Sequence, residues 1–185
     1  NDLIYLQDQN GDENWAVHQV NLAKGEDKTL TPASGVNAQI EGVSDRHPDE
    51  ILVNLNDRNP IFHDLHKINL KTGKDTIVLE NPGMIDGNMV AGIGADEDYN
   101  VRFAMVLTNE GGSIVYKPKN PADPSAGWDK WLDVPMEDSL STAPVGFDKT
   151  GQVIYMKDSR GRDTAALYSV DLKSGEKKLL AEDPK

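Results

Sequence analysis

Residues 167–176, "LYSVDLKSGE", have two near-copies earlier in the chain, "VHQVNLAKGE" at 17–26 and "LHKINLKTGK" at 65–74. Each ends on a β-branched residue, Asn or Asp, Leu, two linker residues, Gly and a charge. An apolar run of strand type precedes each copy: "LIYLQD" around Tyr5, "ILVNLND" around Val53 and "VIYMKDS" around Tyr155. Sixteen residues after these anchors stand Asn21, Asn69 and Asp171, and twenty residues after them Gly25, Gly73 and Gly175, with no gap in any copy. A fourth, worn copy begins at Phe103 in "FAMVLTNEGG". Tyr116 falls at its expected place, but Lys119 replaces the Asn or Asp and the insertion "NPADPSAGW" follows.

Each unit reads as short strands without a competing amphipathic helix. In the last unit they are "APVGFD", "QVIYMKD", "ALYSVDL" and "KKLLAE", and the glycine falls in the last turn, where a positive φ is useful. Four antiparallel strands repeating about every 50 residues are the pattern of β-propeller blades. The expected fold is therefore all-β, a partial propeller of about four blades over 1–32, 36–83, 86–135 and 141–185, the first lacking its inner strand. Open sheet edges in such a piece predict self-association when it is studied alone. A four-bladed ring complete in itself fits the missing first strand poorly.

With 19 basic and 31 acidic residues the formal charge is −12, so a phosphate backbone would be repelled and nucleic acid is not an expected partner. The absence of cysteine excludes disulfides, a thiol nucleophile and cysteine-ligated zinc, and suits either the cytoplasm or the periplasm. No apolar run approaches the ~18 residues of a membrane span, nothing resembles a signal peptide, and no membrane partner is expected. The chain opens inside a strand and without Met, and reads as a piece of something longer.

His18 and His66 share one column of the repeat with Tyr116 and Tyr168, which calls for a flat side chain with a polar tip packed between blades. His63 and His66 lie three apart on a strand, on opposite faces, so they cannot share a metal ion, and no metal or cofactor is assigned. "DQNGDEN" (8–14) echoes a calcium loop but lacks the bidentate Glu, and Asn10-Gly11 explains it as a turn. Trp15 opens a strand and is assigned to the core; Trp128 and Trp131 fall in the irregular third unit. "GGSIV" (111–115) lacks the second glycine of a nucleophile elbow, so Ser113 is not expected to be catalytic and no catalytic residue is assigned.

The loops joining the second and third strands of each unit, "DQNGDEN", "DRNPIFH" (57–63) and "DSRGRDT" (158–164), should fall on one face of a ring. On them Asp57, Arg58, Arg160 and Arg162 are the candidate binding residues. The arginines could bind a peptide carboxylate or brace a partner domain through bidentate hydrogen bonds; equally, each has an Asp beside it and could order its own loop.

The stretches "NGDENWAVHQVNLAKGEDKTLTP" (10–32) and "PDEILVNLNDRNPIFHDLHKINLKTGK" (48–74) resemble the N-terminal propeller of prolyl-oligopeptidase-family serine peptidases, the acylaminoacyl and dipeptidyl peptidase relatives. "GFDKTGQVIYMKDSRGRDTAALYSVDLKSGE" (146–176) is similar to the repeat this family shares with TolB proteins. The resemblance covers most of the chain outside 109–140. It implies a non-catalytic propeller that gates peptide access to an α/β-hydrolase domain lying outside this chain, with that domain and peptide substrates as partners. The alternative is a TolB-like scaffold that binds proteins.

Overall fold

The computed structural model describes residues 2–183; position 1 of the first repeat unit and 184–185 of the last lie outside them. The chain forms two compact units, Asn1–Gly83 and Met84–Lys185. In the first unit one sheet runs β1 (Asp2–Gln7), β2 (Ala16–Asn21), β3 (Glu26–Thr29), and the other β4 (Ala38–Val43), β5 (Glu50–Leu55), β6 (Asp64–Asn69), β7 (Asp75–Leu79). In the second unit a five-stranded sheet holds β8 (Met84–Ile85), β9 (Asn88–Ala95), β10 (Val101–Leu107), β11 (Ser113–Pro118) and β12 (Trp128–Val134). A four-stranded sheet there holds β13 (Ala143–Phe147), β14 (Val153–Asp158), β15 (Ala166–Asp171) and β16 (Lys177–Ala181). Every sheet is an antiparallel meander in chain order, the construction of a propeller blade. The first has three strands and lacks the inner one.

The repeated Asn or Asp and Gly have a physical cause in the last turn of the blade. Asn21 Oδ1 accepts the amides of Ala23 and Lys24, Asn69 Oδ1 those of Lys71 and Thr72, and Asp171 Oδ1 those of Lys173 and Ser174. The chain then returns through Gly25, Gly73 and Gly175 at φ of 69°, 72° and 75°, each glycine amide donating to the main-chain oxygen of the same Asn or Asp. A side-chain acceptor that mimics a backbone carbonyl and a residue free to adopt positive φ are both required. Where Lys119 breaks the pattern, the chain instead makes an excursion that closes with the Lys119 amide on the Gly127 oxygen.

Two features depart from the sequence reading. The third sheet gains β8 through a two-residue hairpin at Asp86-Gly87, both at positive φ (49° and 80°), the geometry that an Asp-Gly pair favours. Strand pairing also shows the second-strand anchors of the last two units to be one residue out. Tyr5 faces His18 and Val53 faces His66, but Tyr116 faces Ala104 and Tyr168 faces Met156. A one-residue step turns a side chain to the other face of the sheet. Phe103 thereby leaves the aromatic column of its own sheet and crosses Gly94 toward the fourth.

That displacement builds the core of the second unit. The Phe103 ring lies 6.2 Å from that of Phe147 and, with Trp131 and Leu132, packs on buried Ile154, Met156 and Val170. In the first unit Val17 and Ala38 join Ile51, Val53, Leu55 and Ile68 in the corresponding core. Trp15, assigned to the core from sequence, is instead 38% exposed and stands just before β2, whose first two residues, Ala16 and Val17, are buried.

A Cβ on Gly94 would come within 2.1 Å of the Phe103 ring. Gly94→Ala should therefore destabilise the second unit by roughly 1–3 kcal/mol, the usual cost of overpacking. Adding Phe103→Leu should return part of that loss, a coupling that denaturant melts of the two single variants and the double variant would measure.

Candidate functional site

In the first unit, the connection from β5 to β6 folds around Asp64, a fully buried carboxylate at the start of β6. Arg58 grips it in a fork, Nε to Oδ2 at 2.5 Å and Nη2 to Oδ1 at 2.7 Å, and the Asn81 amide donates to Oδ1 at 2.7 Å. Burial alone pushes the Asp64 carboxyl up, but these bonds and the guanidinium charge outweigh it and hold Asp64 below the usual carboxylate range. Arg58 remains partly exposed, and its charge is held on by the same pair.

His66 lies two residues further along β6, on the same face as Asp64, and is 2% exposed. Its Nδ1 faces both oxygens of Asp75 on β7, at 2.9 and 3.0 Å, so Nδ1 carries the proton that the carboxylate accepts. Its Nε2 is buried without a hydrogen-bond partner and points toward Asp57 Oδ1, 3.6 Å away. One ligand atom each from Asp57, Asp64 and His66 lie within 4.8 Å of one another. Asp57 had been picked out from the loop, but Asp64 and His66 had not been joined to it. The signal was present in "DLH", two ligand-type residues at alternate strand positions.

The column that His66 belongs to is polar at its tip throughout, as its mixture of His and Tyr suggested. Nine residues after His18, His66 and Tyr168 stand Asp27, Asp75 and Lys177. His18 Nδ1 lies 3.6 Å from Asp27, whereas Lys177 Nζ sits over the Tyr168 ring at 3.8 Å. An imidazole takes an acid there and a phenol ring takes a cation. Tyr116, almost wholly buried, donates to Asp86 at 2.9 Å; burial first and that bond second push its hydroxyl up to about 12.

In the second unit, the loop from β14 to β15 is organised by Asp158, whose side chain is 4% exposed. Arg160 forks onto it through Nε (2.9 Å) and Nη2 (2.8 Å), Lys177 adds a bond at 2.7 Å, and Arg160 Nη1 reaches the Asp133 carbonyl on β12. Arg162 bonds the Thr164 carbonyl and Glu182. Arg58 and Arg160 thus do the same work at the same repeat position, five residues after Val53 and Tyr155. Their partner acid has moved from the third strand (Asp64) to the second (Asp158), and neither Asp57 nor Asp163 is the partner of the arginine next to it.

Of the other candidates, Asp8 and Asp12 turn their oxygens onto amides of their own loop, those of Glu13, Gln9 and Asn14. Ser113 is 4% exposed within the β10–β11 hairpin, paired to Leu107 and Val134, and not at a strand-to-helix turn. The four histidines all belong to the first unit.

The Arg160 fork and the Lys177 bond outweigh burial, which acts the other way, and hold the Asp158 carboxyl far below the carboxylate range. Because the folded-state value is depressed, the stabilisation is complete above the unfolded value of about 4 and drains away as pH falls below it. Asp158→Asn should cost roughly 1–3 kcal/mol at pH 7, since it weakens the charge-assisted bonds to two partly exposed cations, and should flatten the acid limb of the stability profile below about pH 4. Thermal melts from pH 2 to 7 would read both effects.

No family model matches the chain. It is 39% identical over 181 residues to dipeptidyl aminopeptidase BIII of Pseudoxanthomonas mexicana, a match that covers 98% of this chain and 25% of that protein. The chain thus spans a quarter of that relative's length. TolB from Acinetobacter baumannii superposes with a TM-score of 0.65 at 14% identity, covering 98% of this chain and 41% of that one. Prolyl oligopeptidase B from Galerina marginata superposes with a TM-score of 0.55 at 10% identity, covering 99% and 26%. At those identities the two structures speak for the fold alone, a propeller; the sequence match carries the relationship. The sequence match, together with the shared propeller fold, supports reading the chain as a propeller portion of the prolyl-oligopeptidase type, built from TolB-like repeats.

Proposed function

We propose that this chain is the non-catalytic propeller portion of a serine peptidase, and that it filters peptide access to an α/β-hydrolase domain of the same protein. The observation that carries the reading is 39% identity along 98% of the chain to a protein named a dipeptidyl aminopeptidase. The physical logic is exclusion: stacked sheets admit an extended peptide past their loops and turn away a folded protein, while a separate domain supplies the chemistry. Within the filter, the loop residues Asp57, Arg58, Arg160 and Arg162 meet the substrate. Arg58 suits a peptide carboxylate, since Asp64 engages Nε and Nη2 and keeps the guanidinium charged while the side chain stays 41% exposed. The second reading is a TolB-like scaffold that binds proteins with no hydrolase attached, and the likeness to TolB that brings it in is one of fold.

Reading the coding sequence past codon 185 separates the two. A G-x-S-x-G followed by Asp and His is expected; a stop without them overturns the peptidase reading and leaves the scaffold. The isolated chain should not turn over a dipeptidyl nitroanilide. In the whole protein Ser113→Ala should leave turnover unchanged, while Arg58→Ala should raise KM for longer peptides several-fold with kcat preserved, the signature of lost uniform binding.

A further inference from the structure

Beyond the filtering role, we infer that Asp57, Asp64 and His66 form a binding site for one divalent cation of the zinc or manganese class. The first support is the state of His66. Its proton is committed to Asp75 through Nδ1, so the Nε2 lone pair, buried and without a hydrogen-bond partner, faces the Asp57 carboxylate 3.6 Å away. A buried lone pair aimed at an anion is unfavourable unless a positive species stands between them. An Asp holding the far nitrogen of a metal-binding imidazole is the recurrent carboxylate–histidine–metal arrangement, which sets the tautomer and raises the basicity of the ligating nitrogen.

The second support is charge and donor set. Asp57, Asp64, Asp75 and Glu80 surround the position with Arg58 as the opposing cation, in a chain whose formal charge is −12. Asp64 Oδ1 is taken by Arg58 and the Asn81 amide, but Oδ2 accepts only Arg58 Nε and keeps a lone pair. One imidazole nitrogen and two carboxylate oxygens suit zinc, manganese or cobalt better than calcium or magnesium. Metal bonds of about 2.0–2.2 Å draw ligand atoms closer than the present 4.8 Å limit, and Asp57, on an exposed loop, supplies the movement. The bound ion would pin the loop carrying Arg58 to β6.

The test is calorimetric titration of the EDTA-stripped chain with Zn²⁺, Mn²⁺ and Co²⁺, with Co²⁺ also followed by its visible absorption. The expected result is a single saturable site of 1:1 stoichiometry, a cobalt band, and a melting temperature that rises with metal concentration. Asp57→Asn and His66→Gln should each weaken binding at least tenfold. Asp75→Asn, which touches no metal, should weaken it about 10- to 100-fold through the ring it orients. Because His66 is buried and its variant can misfold, Asp57→Asn, checked for native circular dichroism, is the deciding substitution. Three outcomes overturn the site: no saturable binding up to about 1 mM of any of the three ions; binding unchanged by Asp57→Asn in a native-like chain; or NMR showing His66 as an imidazolium shared by Asp57 and Asp75 while metal is present.

Discussion

A four-stranded sheet with apolar residues on both faces cannot stand by itself, and face-to-face burial between successive sheets is the constraint on which the rest of this chain depends. In the first unit Val53 and Leu55 of β5 meet Val17 of β2 and Ala38 of β4 in one cluster. In the second, Phe103 leaves its own sheet to pack with Phe147 on Ile154 and Met156. Within each unit these residues are fixed by the sheet that faces them, so a one-residue slip in a strand would turn its apolar set away from that interface. Gly94 follows from this: the Phe103 ring occupies the space a side chain would need.

The parts of the fold legible from sequence are those whose cause is local. Asn21, Asn69 and Asp171 cap their own turns and Gly25, Gly73 and Gly175 close them, so the requirement is written within five residues and repeats without gaps. What could not be read depends on the partner strand. "FAM" offers Phe103 and Ala104 as equally apolar alternatives, and only the pairing with Tyr116 decides between them. Trp15 carries the largest apolar surface in its stretch, yet it stands one residue before β2 and the strand buries Ala16 and Val17 instead.

The loop site divides along the same line. Arg58, Arg160 and Arg162 stood out because their loops recur between the second and third strands, with an Asp beside each as the alternative partner. The observed partners of Arg58 and Arg160 are the buried carboxylates Asp64 and Asp158, which sit on different strands. A carboxylate held inside a sheet interface needs a full complement of donors, and a guanidinium supplies two in one plane. Any acid within reach of the fork satisfies that need, which is why the arginine position repeats and the acid position wanders. His66 was legible as a packed ring and illegible as a ligand, because its commitment to Asp75 is set by the diagonal between β6 and β7.

This arrangement bears on how a loop without secondary structure can serve recognition. Free loops lose conformational entropy when they bind, and that loss subtracts from affinity. Here the loop between β5 and β6 is already anchored by Arg58 on Asp64 and by Asn81, and the loop after β14 by Arg160 on Asp158 and on the Asp133 carbonyl. The ordering cost is met in folding, by hydrogen bonds that buried carboxylates require in any case. The same buried anions that demand cationic partners therefore leave pre-positioned guanidinium groups on a chain that is otherwise strongly acidic. In the first unit the pairing of His66 Nδ1 with Asp75 turns Nε2 toward Asp57, at the position inferred for the ion.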